Sequence, residues 1–161
     1  MPAGPPTIDV VIPAFNEEHS LPLVLEALRG TPLRRVIVAD NNSADATAQV
    51  AARAGAIVVP APRQGYGSAC LSGIDYLRKH DPPAIVAFVD ADFSDHPNQL
   101  PEVVAPLVEG CAELVIGSRI LGQCEPGALL PQARIGNWIA CLLIRLLYGH
   151  RFTDLGPFRA A

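Results

Sequence analysis

Asp90 and Asp92 stand two residues apart at the end of an apolar run, Ile85-Val86-Ala87-Phe88-Val89. Residues two apart on a strand project to the same side, so these carboxylates can converge on one point beyond the strand's end. Two bare carboxylates that close repel each other and push a pKa up unless something cationic lies between them. A hard divalent ion, Mg²⁺ or Mn²⁺, fits such all-oxygen ligands and completes its shell with phosphate oxygens. The plain alternative is that both acids form a turn or cap a helix opening at Pro97.

Other residues with chemical potential sit at similar punctuation. Asp40 closes the run Arg35-Val36-Ile37-Val38-Ala39, and Pro13-Ala14-Phe15-Asn16-Glu17-Glu18 follows Ile8 to Ile12. Arg63-Gln64-Gly65-Tyr66-Gly67-Ser68 is a glycine-rich turn whose backbone could approach a phosphate closely. Asp40 is where a dinucleotide-binding fold places its ribose acid. The first strand-to-helix turn, however, has no GxGxxG, which disfavours a nicotinamide or flavin enzyme.

The elements that must position these residues alternate. Strands are expected at 8–13, 35–40, 56–59, 85–89 and 112–116. Helices are expected from Asn16-Glu17-Glu18 to Gly30, from Ser43 and Asp45 as caps to Gly55, from about Ala69 to Lys79, and from Pro97 to about Glu109. Such alternation means parallel βαβ units and a doubly wound α/β sheet, in which ligands sit at the carboxyl ends of strands. Residues 121–133 are rich in Gly and Pro and read as a long loop. Beyond them Ile135, Trp138, Ile139, Leu142, Leu143, Leu146 and Leu147 form an apolar stripe on a helix flanked by Arg134 and Arg145. That stripe would serve equally to pack on the sheet or to lie in a membrane interface.

With 161 residues, half of them hydrophobic, the chain reads as one domain with a sizeable core. Five of its 12 Lys and Arg residues, but only two of its 16 acids, lie beyond residue 118, which suggests that anions are handled there. Cys70, Cys111, Cys124 and Cys141 lack CxxC spacing and read as buried free thiols of a reducing compartment. Neither a signal peptide nor an 18-residue apolar run is expected.

An apolar strand ending in Pro-Ala-Phe-Asn-Glu-Glu, a second ending in Ala-Asp-Asn-Asn-Ser-Ala-Asp-Ala-Thr, a Gly-Tyr-Gly turn and Asp-Ala-Asp follow one another in order. Together, over Val10 to Arg159, they resemble a family 2 glycosyltransferase of the GT-A fold, in particular the dolichyl-phosphate mannose or glucose synthase-like branch. The resemblance implies a single GT-A domain over 1–161. Its nucleotide-sugar-binding part would be 1–118, with an acceptor-side loop and amphipathic helix at 119–161. Relatives continue with further strand and helix, so the C-terminal part is expected to be short or truncated.

Residue by residue, the resemblance implies that Pro13, Phe15 and Glu17 line the nucleotide pocket, Phe15 standing where many relatives place a tyrosine, and that Asp40 accepts from the base. Arg63, Gly65 and Gly67 would border the diphosphate. Asp90 and Asp92 would hold Mg²⁺ or Mn²⁺, with Asp90 and Ala91 also near the donor. Arg119 and Arg134 would bind an acceptor phosphate, and Asp92 and Arg119 would serve catalysis. Asp154 is the general base a hydroxyl acceptor would need. Relatives often carry Gln at the position of Ser94 and an acid at that of Asn41, and glycine is usual where Ala46 stands.

The expected activity is transfer of a hexose, with inversion, from a nucleoside diphosphate sugar such as UDP-glucose or GDP-mannose to a polyprenyl phosphate. That places the chain in the cytoplasm, at the inner membrane surface, with a membrane-protein partner conceivable and nucleic acid not among the partners. Two alternatives stay open: a soluble transferase using a small phosphorylated acceptor such as phosphoglycerate, and a nucleotide-sugar-binding module without turnover. A DxD phosphatase is disfavoured, because its acid pair usually sits on the first strand and here it follows the fourth.

Overall fold

The computed structural model describes residues 5–117, 131–149, 151–153, 155 and 159–161. Strands β1 (Ile8–Ala14), β2 (Arg35–Asp40), β3 (Ile57–Pro60) and β4 (Ile85–Phe88) run parallel, in the spatial order β3-β2-β1-β4. Helices α1 (Leu21–Ala27), α2 (Thr47–Arg53), α3 (Tyr66–Lys79) and α4 (Leu100–Val108) alternate with them, as the βαβ reading requires. Beyond β4 the sheet continues with β6 (Arg159–Ala160) and then β5 (Val115–Ile116). The antiparallel pairing of β6 with β4, through Ala87 opposite Ala160 and Phe88 opposite Arg159, has no counterpart in the sequence reading. Helix α5 (Pro131–Tyr148) follows β5 in the chain.

The core divides by strand parity. Val10 and Ile12 of β1 join Leu21, Val24 and Leu25 of α1, Ala51 of α2 and Leu100 and Val104 of α4 on one side of the sheet. Val11 joins Ile37, Val59 and Leu77 on the other, the side α3 covers. Every residue of β1 is buried, consistent with a central parallel strand covered on both faces.

Helix α3 lies very close to β1, and a glycine permits it. A Cβ on Gly73 would lie 2.5 Å from Val11 Cγ1, a side chain with no solvent exposure. Gly73→Ala is therefore expected to cost about 1–3 kcal/mol by overpacking. A lower urea midpoint with an unchanged m-value would show it, and adding Val11→Ala should lose less than the sum of the two single variants.

Several boundaries differ from expectation for identifiable reasons. Asn16 does not open a helix but adopts a left-handed turn with φ 56°, and α1 begins only at Leu21, with Pro22 in its first turn where no N–H is needed. Ser43 and Asp45 do not make the expected N-cap: Ala46 occupies that position, without a side-chain cap hydrogen bond. Helix α3 starts at Tyr66 rather than Ala69, so Gly67 belongs to its first turn. Strand β5 is two residues long, and α5 begins at Pro131, inside the expected loop. Cys70 is buried and Cys141 half-buried, but Cys111 is exposed; all three are free thiols, and Cys124 lies outside the described residues.

The chain divides into two compact units, one of residues 1–115 with 158–161 and the other of residues 116–157. Within the second, Asn137 anchors α5 to the segment that follows it. Its Oδ1 accepts from the Leu155 N–H at 3.0 Å and its Nδ2 donates to the Thr153 carbonyl at 3.4 Å. Among the described side chains of α5, Asn137, Ala140, Cys141 and Ile144 are half-buried, whereas Trp138 and Leu146 are 65% and 72% exposed. Among the described residues, no helix is long and apolar enough to cross a membrane.

Candidate active site at the carboxyl edge of the sheet

The turns that follow β1, β2 and β4 share an unusual backbone. Asn16 (φ 56°), Asn42 (φ 64°) and Phe93 (φ 60°) adopt left-handed conformations that only glycine occupies without cost. Three such residues along one edge of a sheet mark loops held in place by their surroundings.

Those surroundings are specific. In the first two loops, the Asn16 N–H donates to Ser43 Oγ at 3.0 Å, the Glu17 N–H to Thr47 Oγ1 at 2.8 Å and the Glu18 N–H to Asp45 Oδ2 at 3.2 Å. Returning, the Ala44 N–H donates to Asn16 Oδ1 and the Ala46 N–H to Glu18 Oε2, both at 2.8 Å. Ser43, Asp45 and Thr47 thus brace the loop that carries Phe15 and Glu17. Burial works against the charged form of Asp45, but bonds from the Thr47 hydroxyl and from the N–H groups of Thr47 and Glu18 outweigh it, holding the carboxyl below its ordinary pKa.

Asn41 performs the same service for the glycine turn. Its side chain, nearly buried, donates to the carbonyls of Ala61 and Arg63, both at 2.8 Å, and accepts from the Gly65 N–H at 2.7 Å. An aspartate in place of Asn41 could not donate to those two carbonyls. Gly65 has φ 124°, a region that side chains rarely adopt, and α3 starts at the next residue.

These loops enclose an open cavity of about 440 Å³. Pro13, Phe15 and Glu17 line it from β1 and its turn, Gly65 from the start of α3, and Asp90, Ala91 and Asp92 from the end of β4. Phe15 is 46% exposed, an uncovered aromatic face beside the cavity. Asp40, Arg63 and Gly67 are not among the lining residues; Asp40 pairs in register with Ala14, whose side chain is. Arg119, the Arg134 side chain and Asp154 lie outside the described residues. Asn41, Gln64, Tyr66 and Ala69 also line the cavity; the sequence reading placed Gln64 and Tyr66 only within the glycine-rich turn expected to border the diphosphate, and gave Asn41 and Ala69 no role there.

Asp90 and Asp92 come together by a different route from the one expected. Strand β4 ends at Phe88, and a turn, not the pleat, carries both acids to the cavity. The Ser94 N–H donates to Asp92 Oδ1 at 2.9 Å, and Tyr66 Oη donates to Asp90 Oδ1 at 2.9 Å. Among the described residues, no three His, Cys, Asp or Glu side chains group to enclose a cation. Two carboxylates on one cavity wall fit a hard ion that draws the rest of its shell from phosphates and water.

A parallel sheet with an acid-lined cleft at its carboxyl edge is the architecture of nucleotide-dependent α/β enzymes. A model of glycosyl transferase family 2 matches residues 9–157, and the chain belongs to that family. It is 43% identical over 156 residues to an uncharacterized glycosyltransferase of Mycobacterium tuberculosis, covering 96% of this chain and 66% of that protein. It is also 32% identical to the undecaprenyl-phosphate mannosyltransferase of Micrococcus luteus, covering 90% of this chain and 61% of that enzyme. Among solved structures it resembles the glucosyl-3-phosphoglycerate synthase of M. tuberculosis in complex with Mn²⁺, UDP-glucose and phosphoglyceric acid. There the TM-score is 0.73 and the identity 29%, over 97% of this chain and 56% of that one. The expected GT-A architecture is the one observed, and the chain spans about two thirds or less of each relative's length.

Proposed function

We propose that this chain carries the donor half of a metal-dependent, inverting hexosyltransferase that uses a nucleoside diphosphate sugar and passes the hexose to a polyprenyl phosphate at the cytoplasmic face of a membrane. The observation that carries the donor assignment is the cavity in which Phe15, the Gly65 turn, Asp90 and Asp92 meet. In this reading Phe15 offers a face for the base, and Asp40, at the adjacent strand end, accepts from it. The first turn of α3 presents backbone to the diphosphate, with Arg63 beside it. Asp90 and Asp92 hold Mg²⁺ or Mn²⁺, which when bound neutralises charge on the leaving diphosphate. An acceptor phosphate oxygen attacks the anomeric carbon as the bond from that carbon to the diphosphate breaks, and the nucleoside diphosphate leaves with the electron pair. A phosphate acceptor is already anionic near neutral pH, its second pKa being about 6, so no general base is needed.

Arg119 and Arg134 are assigned to the acceptor phosphate because guanidinium forks grip phosphates bidentately. The lipid form of the acceptor is supported by the likeness to the undecaprenyl-phosphate enzyme and by the aliphatic face of α5, exposed from Ile135 to Leu147 with Arg145 on the same helix. The likeness to the phosphoglycerate-using synthase favours a second reading, a small phosphorylated acceptor.

A thermal-shift screen of UDP-glucose and GDP-mannose with and without Mn²⁺ tests the donor. Turnover with polyprenyl phosphate in liposomes, set against 3-phosphoglycerate, then separates the acceptors. Indifference to every nucleotide sugar would overturn the assignment.

A further inference from the structure

Tyr66 joins two walls of the cavity. It is the first residue of α3, it is 46% exposed, and its hydroxyl reaches across 24 positions of sequence to Asp90 Oδ1 at 2.9 Å. We infer that Tyr66 is a positioning residue for the metal site: its phenol fixes the orientation of the Asp90 carboxylate so that the pair with Asp92 is set before cation and donor arrive. This rests on the assignment of Asp90 and Asp92 to the cation.

The terminal torsion of an aspartate is broad, so a carboxylate at the mouth of an open cleft has no intrinsic orientation. A cation site needs its oxygens held to within about 0.5 Å, and supporting hydrogen bonds provide that. A phenol donating to a carboxylate makes a charge-assisted bond, stronger than a neutral one.

The donor is itself held rigidly. The Gly65 N–H is gripped by the buried Asn41 side chain, the Ala69 N–H closes the first helical turn onto the Gly65 carbonyl at 3.0 Å, and Gly73 lets the helix sit against Val11. A continuous set of contacts therefore runs from the second strand's end, through the glycine turn, to the acid at the end of β4. A tyrosine needed only for its ring would gain nothing from this connection.

Tyr66→Phe keeps the ring and removes the bond. UDP binding to wild type and variant is measured by calorimetry across a Mn²⁺ titration and again in EDTA, with apo melting temperature as a control. The Mn²⁺ concentration giving half-maximal enhancement of UDP binding should rise by about tenfold in Tyr66→Phe, in the range of supporting contacts to metal ligands. Metal-free UDP affinity and the apo melting temperature should stay as in wild type. An unchanged Mn²⁺ requirement would overturn the inference, as would an equal loss of affinity in EDTA, which would mark a direct nucleotide contact. Wild-type protein that ignores UDP at every Mn²⁺ concentration would defeat the donor assignment itself, and the inference with it.

Discussion

Asp92→Ala is expected to lose nucleotide-sugar binding in Mn²⁺ by on the order of 10²- to 10³-fold, the scale of removing one preorganised electrostatic partner from a phosphate or oxyanion site. The cavity wall carries Asp90 and Asp92, and Glu17 lines the same space. A diphosphate brought among these acids meets repulsion unless a cation intervenes. In the proposed reading one of two carboxylate ligands is then gone, and the ion would be held too weakly to bridge protein and nucleotide sugar. Ligand stabilisation follows RT ln(1 + [L]/Kd), so UDP-glucose at a hundredfold excess over Kd should stabilise the wild type by about 2.7 kcal/mol. A hundredfold weaker variant would gain only about 0.4 kcal/mol at the same concentration. Asp92 is exposed and, among the described residues, its Oδ1 bonds locally to the Ser94 N–H, so the apo variant should melt as the wild type does. A variant that keeps its full Mn²⁺-dependent shift would remove Asp92 from the site.

The largest expected effect on stability lies at the opposite edge of the sheet. Asp9, fully buried in β1, accepts from Arg34 Nε at 3.0 Å and Nη2 at 2.7 Å, and from Arg35 Nε at 3.0 Å and Nη2 at 2.6 Å. Both guanidiniums also donate to the Asp81 carbonyl at 2.8 Å, and Arg35 Nη1 donates to the His80 carbonyl at 2.5 Å. The network joins β1 and the start of β2 to the residues just past α3. Asp9→Asn should destabilise by about 3–5 kcal/mol, because two partly buried cations lose their shared counter-charge. For a domain whose total stability is about 5–15 kcal/mol, that is a large share.

The same carboxylate gives the pH dependence a sign. Burial opposes its charge, but the bonds from Arg34 and Arg35 prevail and hold its pKa below the ordinary value of 3.8. A depressed folded pKa means stability that is present above the unfolded pKa and lost as pH falls through the folded one. Urea midpoints of wild type and Asp9→Asn should therefore be far apart at pH 7 and converge below about pH 4. A constant gap across that range would show that Asp9 is not the titrating group.

The alternating apolar runs made the parallel sheet readable because burial on both faces leaves a local signature in composition. Leu21, Val24, Leu25 and Leu28 likewise announced the buried face of α1. What composition could not disclose are bonds between loops distant in sequence. Ser43 and Asp45 read as helix caps because those residue types favour caps, yet Ser43 Oγ and Asp45 Oδ2 accept from backbone groups 27 residues away, and Thr47 Oγ1 from one 30 residues away. The bond from Tyr66 to Asp90 and the grip of Asn41 on Gly65 are equally non-local. Strand β6 is too short to show any periodicity, and only its pairing partner defines it. Even the two acids of Asp-Ala-Asp, singled out by their spacing, reach a common cavity through a turn that the spacing did not describe.

The placement of β6 has a bearing on biosynthesis. Residues near 160 fill a position beside β4, with paired bonds between Val86 and Ala161 at 2.8 and 3.0 Å, although β4 itself emerges from the ribosome some 70 residues earlier. Until those residues are translated, the flank of β4 presents unsatisfied amides and carbonyls, the kind of seam on which nascent chains adhere to one another. Completion of the sheet therefore waits until residues 159–161 have been made, and the interval before it is when that seam is open.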